Sequence, residues 1–519
     1  MQFERAAGIL LHPTSLPGRY GIGDLGVQAY QFVDWLEAAG ARLWQILPLG
    51  PTGYGDSPYQ CFSAFAGNPL LISPDYLARQ NLLAQWDLDA VPAFPAEYVD
   101  YGPVIEAKMA LLRQAFENFK AQGENEQFAE FCAVERAWLD DYSLFMACKA
   151  AHGGAAWVEW DPAISRHEPG AVDEWRAKLA DDVLFQQFMQ WAFFSQWGDL
   201  KAYANDKGIK IIGDAPIFVA HDSADVWANR ELFLLDGSGN PIDIAGVPPD
   251  YFSATGQRWG NPLYRWDVMQ QQDFAWWRER VTGTLRTVDI VRLDHFRGFA
   301  GYWAVPGHEE TAINGEWRRA PGVALFATLK EQLGDLPLIA EDLGVITPDV
   351  EDLRDRFEFP GMRILQFAFT SRASKSAFLP HNYVPNTVAY SGSHDNDTTR
   401  GWYVSASPEE QHRARHYLNT DGEAIVWTMI RALYASVANT VVIPMQDALD
   451  LGSEARMNKP GQLGGNWSWR IAPEQLSAGL AGALADLADT YGRTAVPEED
   501  APVDPSAPRY FDLDEDGAA

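Results

Sequence analysis

Three acidic residues stand where a short apolar run gives way to glycine, histidine or arginine. Asp294 ends the run in DIVRLDHFRG (289–298), Glu341 ends the run in PLIAEDLG (337–344), and Asp395 ends the run in NTVAYSGSHD (386–395). A carboxylate emerging from a packed apolar wall is partly desolvated and close to others of its kind. Those conditions separate pKa values, so that one group acts as an acid while another stays ionised. Cleavage of a glycosidic bond needs two such opposed carboxyl groups, one a nucleophile or base and one a proton donor, about 5–5.5 Å apart where configuration is retained. A lone aspartate at a strand end more often caps a helix or ties a loop. Three in one chain, each in this kind of context, shift the balance toward chemistry.

The elements that must carry them form a repeat. Besides the three runs above, GILLHPTSL (8–16), RLWQILPLG (42–50), IKIIGDAPI (209–217), MRILQFAF (362–369) and TVVIPMQDAL (440–449) are nearly continuous in apolar residues. That is how strands buried on both faces of a parallel sheet read. Helical spacing lies between them, as in Val27, Tyr30, Val33 and Leu36, and in a long helix expected over 183–204. Strand and helix alternating eight times predict an α/β fold, a closed (β/α)8 barrel whose chemistry sits at the carboxyl ends of the strands. An open doubly wound sheet is the competing architecture, but no Gly-rich dinucleotide turn follows the first run.

A barrel needs roughly 250 residues, so about half of this 519-residue chain must be insertions at the carboxyl-end face. The expected organisation is a single catalytic unit over 1–497 with two inserted regions. One lies between the second and third runs and is helix-rich over about 51–182; the other, about 218–288, is a loop-rich lid. No carboxy-terminal β-sandwich pattern is visible, and 498–519 reads as an acidic, proline-rich, disordered tail.

The chain carries 40 Lys+Arg against 71 Asp+Glu, a formal charge of −31. Such an excess repels phosphate backbones and anionic lipid surfaces, which argues against nucleic-acid and membrane partners and suits a neutral substrate. The amino terminus lacks the apolar core of a signal peptide, and no run approaches the ~20 residues of a membrane span. Three sparse cysteines fit reduced thiols, so a cytoplasmic location is expected. His12, His221, His295 and His394 are scattered without ligand spacing, and no P-loop is present, so neither metal nor cofactor is expected.

DIVRLDHFRG, IAEDLG and SGSHDNDT resemble the three catalytic blocks of the α-amylase superfamily, and specifically its amylomaltase branch of 4-α-glucanotransferases. GILLHPTSLPGRYGIGDLG, LPLGPTGYGDSPYQCFSAFAGNPLLI, GDAPIFVAHDSADVW, GVPPDYFSATGQRWGNPLY and GQLGGNWSWR extend the resemblance over nearly the whole chain. The resemblance implies that Asp294 is the nucleophile, that Glu341 is the general acid/base, and that Asp395 is the third carboxylate, binding sugar hydroxyls beside His394. Arg292, two positions before Asp294 on the same strand face, would hold it ionised. Ser57 and Tyr59 match positions near the donor sugar. Asp250, Gln257 and Trp259 match a loop over the cleft, and Asn466 matches another substrate contact. Tyr54 and Tyr101 are similar to a pair that forms a secondary glucan site in some relatives.

The implied activity transfers α-1,4-glucan segments from a donor to a glucan or glucose acceptor, with retention, through a covalent glycosyl-aspartate. The implied partners are maltooligosaccharides, amylose, glycogen and glucose. A hydrolytic amylase would use the same carboxylates, and a debranching enzyme would need a further module. A binding scaffold would keep the aromatic walls but lose a carboxylate, and a sugar-phosphate isomerase would need a phosphate loop.

Overall fold

The structure is a computed structural model that describes residues 3–53, 55–249, 253–370, 374–462 and 464–494. Tyr54, Asp250 and the tail expected over 498–519 lie outside the described residues. Twelve strands are present among those described: β1 (Ala6–Leu10), β2 (Leu43–Gln45), β3 (Lys210–Pro216), β4 (Asp243–Val247), β5 (Gln257–Pro262), β6 (Ile290–Asp294), β7 (Gly301–Pro306), β8 (Glu316–Arg319), β9 (Leu338–Ala340), β10 (Gly361–Ile364), β11 (Thr387–Tyr390) and β12 (Thr440–Pro444).

Eight of these are the eight apolar runs, and they close into a barrel in the order β1, β2, β3, β6, β9, β10, β11, β12, with β12 returning to β1. Neighbours are parallel throughout, and the seam pairs Ala6 with Thr440 and Leu10 with Pro444. Alternation along each strand sorts side chains into an inner and an outer core. Ile212, Ile290, Ile339, Met362, Val388 and Val442 pack inside the barrel. Val291 and Leu293 of β6 instead join the outer core beneath the helices. Gly8 stands where β1 and β2 come closest, since a Cβ there would lie 2.5 Å from the Leu43 carbonyl oxygen.

The expected helices form at Val27–Ala38 and Ala180–Asp206. The latter is the spine of the helix-rich insertion. It buries Phe185, Phe188, Trp191 and Trp197 on several faces, because it packs both on the barrel and under helices Tyr101–Gln122, Glu126–Val134 and Arg136–Ala151. Lys108 pins the insertion to the barrel mouth, its ammonium donating to Asp24 at 3.1 Å and to the Ile72 carbonyl at 2.7 Å, all buried.

The segment 218–288 holds more regular structure than a loop-rich lid. It contains β4, β5 and the helices Trp266–Gln271 and Ala275–Thr287. β4 and β5 join β7 and β8, which follow β6, in an antiparallel sheet of order β5-β4-β7-β8. Two connections from different barrel strands are thereby stitched into one platform above the mouth. No described helix is long and apolar enough to cross a membrane.

Candidate active site

The register of β3 against β6 builds the floor of the site. Asp214 lies opposite Arg292, and Pro216 opposite Asp294. Reading up the inner face of β6, Ile290 belongs to the packed interior, Arg292 is above it, and Asp294 is at the mouth. Arg292 is 3% exposed, and its guanidinium bridges two acids. It donates to both Asp214 oxygens at 2.8 and 2.7 Å and pairs with Asp294 at 3.0 Å. Burial works against its charge, but the Asp214 and Asp294 carboxylates overcome that and raise its pKa well above the ordinary value.

Glu341 follows β9 and faces the same point. Its carboxyl group accepts from the backbone N–H of His295, the residue after Asp294, at 2.8 Å, and from the N–H of Leu343 at 3.1 Å. His295 adopts left-handed backbone (φ 53°), which turns its N–H toward Glu341. Burial pushes the Glu341 pKa well above the usual carboxylate range; Asp294 and Asp342 push the same way, against Arg292 and the His295 N–H. Adjacent Asp342 is buried among Arg363, Arg354 and the Met362 N–H, which anchors the turn that presents Glu341.

The third carboxylate stands across the mouth. Asp395 accepts from Asn458 Nδ2 at 2.6 Å and lies 3.4 Å from His394 Nε2. The His394 carbonyl accepts from the Asn458 N–H, and Arg456 donates to the Asp395 carbonyl. His394 is buried, with its ring stacked on Tyr59 at 5.0 Å and 17°. The Tyr59 hydroxyl donates to Asp214 at 2.8 Å, which closes a chain of contacts from His394 through Tyr59 and Asp214 to Arg292 and Asp294. Burial raises the Tyr59 pKa well above that of a free phenol, so the group remains a donor. His12, at the end of β1, accepts from the Leu47 N–H through Nδ1, and burial followed by the charge of His394 lowers its pKa to about 3. A wall of hydrogen-bonding rings therefore lines one side of a cleft whose other side carries Asp294, ion-paired to Arg292, and Glu341, whose pKa burial raises. Such a cleft can cleave a glycosidic bond by paired nucleophile and acid.

The family model of the 4-α-glucanotransferases (glycoside hydrolase family 77) matches residues 11–476. The chain belongs to the 4-α-glucanotransferase family. It is accordingly a hexosyltransferase of class EC 2.4.1.25, an enzyme that moves glucan segments between chains. A 4-α-glucanotransferase of Synechocystis is 53% identical over 497 residues, covering 94% of this chain and 98% of the relative. That of Thermus thermophilus is 51% identical over 504 residues, covering 95% and 100%. The solved structure of an amylomaltase from Streptococcus agalactiae in complex with acarbose is 44% identical with a TM-score of 0.91, and the match covers 94% of this chain and 100% of that one.

Within this 4-α-glucanotransferase framework, the structure brings Asp294, Glu341, Arg292, His394, Asp395 and Tyr59 together at the barrel mouth. Ser57 lies on the same turn as Tyr59, its hydroxyl accepting from the Tyr59 N–H at 3.3 Å. Trp259 and Gln257 are on β5, joined by a 3.1 Å bond from the indole N–H to the amide oxygen. The Trp259 ring meets His295 edge-to-face at 4.7 Å, which sets the antiparallel platform directly against the residue following Asp294. Asn466 is differently engaged: both ends of its amide tie its own loop, to the Lys459 N–H and the Gln462 carbonyl. Tyr101 donates to the Trp467 carbonyl at 2.9 Å and so holds the loop after β12.

Among the participants that the sequence does not single out are Asp214 and Asn458. Asp214 has a usable signal, a lone acid inside the apolar run IIGDAPI, which must find a buried cation. Asn458 sits in a Gly/Pro-rich loop with no pattern to mark it.

Proposed function

We propose that the protein transfers α-1,4-glucan segments with retention through a covalent glycosyl-enzyme at Asp294. Asp294 attacks the anomeric carbon of a donor α-1,4 bond while Glu341 protonates the leaving oxygen, releasing the reducing-end fragment. The 4-hydroxyl of an acceptor glucan or of glucose, deprotonated by Glu341, then displaces Asp294, and two inversions retain the α configuration. Asp395 and His394 hold sugar hydroxyls on the donor side, with Ser57 and Tyr59 on the adjoining wall. Gln257 and Trp259 of β5 cover the cleft and disfavour water as acceptor. The donors are maltooligosaccharides and longer α-1,4-glucans, a reading supported by the relative that holds acarbose.

The observation that carries this reading is the asymmetry of the two carboxyl groups. Asp294 is ion-paired to Arg292, while Glu341 has its pKa raised by burial and lies one peptide away through the His295 N–H. The test is incubation with maltotriose alone, resolving products by length and assaying glucose. A ladder of longer oligomers plus glucose is expected, lost in Asp294→Asn, with a covalent glycosyl adduct on Asp294 trapped by a slow fluoride donor. Glucose and maltose without longer products would reassign the protein as a hydrolase.

A further inference from the structure

The helix Pro408–Leu418, between β11 and β12 in the chain, carries Glu409, His412 and His416 along one stripe, at spacing i, i+3 and i+7. Residues so spaced share a helix face. The two imidazoles lie with ring centres 6.1 Å apart and planes within 15°. All three side chains border an open groove, whose other walls include Phe369, Leu379 and His381. Each is exposed, and none makes a hydrogen bond or ion pair among the described residues.

Neighbouring groups are already committed elsewhere. Glu410 closes a capping box with Ser407. Arg413 donates to the Phe369 and Thr370 carbonyls, and Arg415 to the Tyr403 hydroxyl, so both cations are held by partners of their own. His381 uses both ring nitrogens, one with the Tyr417 hydroxyl and one with the Ser374 carbonyl, and serves as a wall of the groove.

We propose that His412 and His416 chelate one transition-metal dication of the zinc, nickel or copper kind, with Glu409 as a third ligand and water completing the shell. Two imidazoles one helical turn apart are a metal-binding arrangement in their own right. With metal–nitrogen bonds of about 2.0–2.1 Å, two rings sharing an ion have centres no more than about 6.5 Å apart, so side-chain rotation alone completes the site. No three donors are already gathered at a point among the described residues; the exposed side chains gather on the ion while the helix stays as it is. The formal charge of −31 raises the local concentration of cations, and His416 lies in the last turn, at the negative end of the helix dipole. Bound metal would cross-link the last two turns of the helix and stabilise the folded chain by linkage.

The test uses the full chain without a histidine tag, titrated with zinc chloride by calorimetry and followed by thermal unfolding with and without zinc. One equivalent is expected to bind and to raise Tm. Either His412→Ala or His416→Ala should weaken binding about tenfold or more, and the double variant should lose both the binding and the Tm shift while its metal-free transferase activity stays at the wild-type level. The copper(II) form should show nitrogen couplings from two imidazoles by electron paramagnetic resonance. Absence of binding at millimolar zinc, or undiminished binding in the double variant, would overturn the proposal.

Discussion

Arg292 and Glu341 divide the labour of the site by the company each keeps. The guanidinium touches two acids and holds Asp294 in an ion pair, whereas the Glu341 carboxyl group accepts from backbone N–H groups and has a buried setting that favours its protonated form. Replacing Glu341 with Gln should lower transfer from a natural glucan about 10²–10⁴-fold. The loss should be much smaller for an α-maltosyl fluoride, whose leaving group needs no proton, and comparing the two donors in one variant checks the role. A pH profile gives a second check. Because the Glu341 pKa is raised, the acid form that the proposed leaving-group protonation needs persists above the usual carboxylate range and is lost as pH rises through the raised value. Transfer from maltotriose should therefore fall on the alkaline side, and the fluoride donor should show a weaker fall over the same interval. Equal limbs for both donors would place that titration on another group.

At the scale of elements, all eight barrel strands were visible in the sequence because burial on both faces leaves an unbroken apolar run. The antiparallel platform was not. β4 (Asp-Ile-Ala-Gly-Val) and β5 (Gln-Arg-Trp-Gly-Asn-Pro) are rich in glycine and polar residues and show no clean alternation. Their pairing also depends on β7 and β8, contributed by another barrel connection, so nothing local announces it. The same limit hid Asn458, whose partner Asp395 is 63 positions away in the chain, whereas the three carboxylates were legible because each follows a run that could be recognised. The platform makes its own prediction. Trp259→Ala removes the edge-to-face contact with His295 and opens the cover of the cleft. Transfer should drop about two- to tenfold, and the share of hydrolysis among products should rise, measured as reducing ends formed per transfer event. An unchanged share would mean that water is excluded by another wall.

At the scale of the molecule, the barrel is held shut at its seam by two arginines without acidic partners among the described residues. Arg493 is fully buried and donates to the carbonyls of Tyr434, Ala6, Leu433, Ser436, Ala438 and Asn439, while Arg5 donates to those of Tyr491, Ala438, Tyr434 and Ser436. Burial, with Arg5 nearby, lowers the Arg493 pKa to about 9, so it is still a cation at neutral pH. Arg493→Met should cost on the order of 3 kcal/mol, since several buried carbonyls lose a charged donor. Denaturant unfolding would show the loss, with transfer at low temperature largely kept because the seam lies far along the strands from the carboxylates. The seam also dictates a timetable. The bond between Arg493 and Ala6 spans 487 positions, and β1 cannot find β12 until all the chain between them has left the ribosome. Closure of the barrel is then a late event of high contact order. Until it happens, the side of β1 that faces away from β2 stays an open apolar strand edge, the kind of surface a chaperone would have to shield.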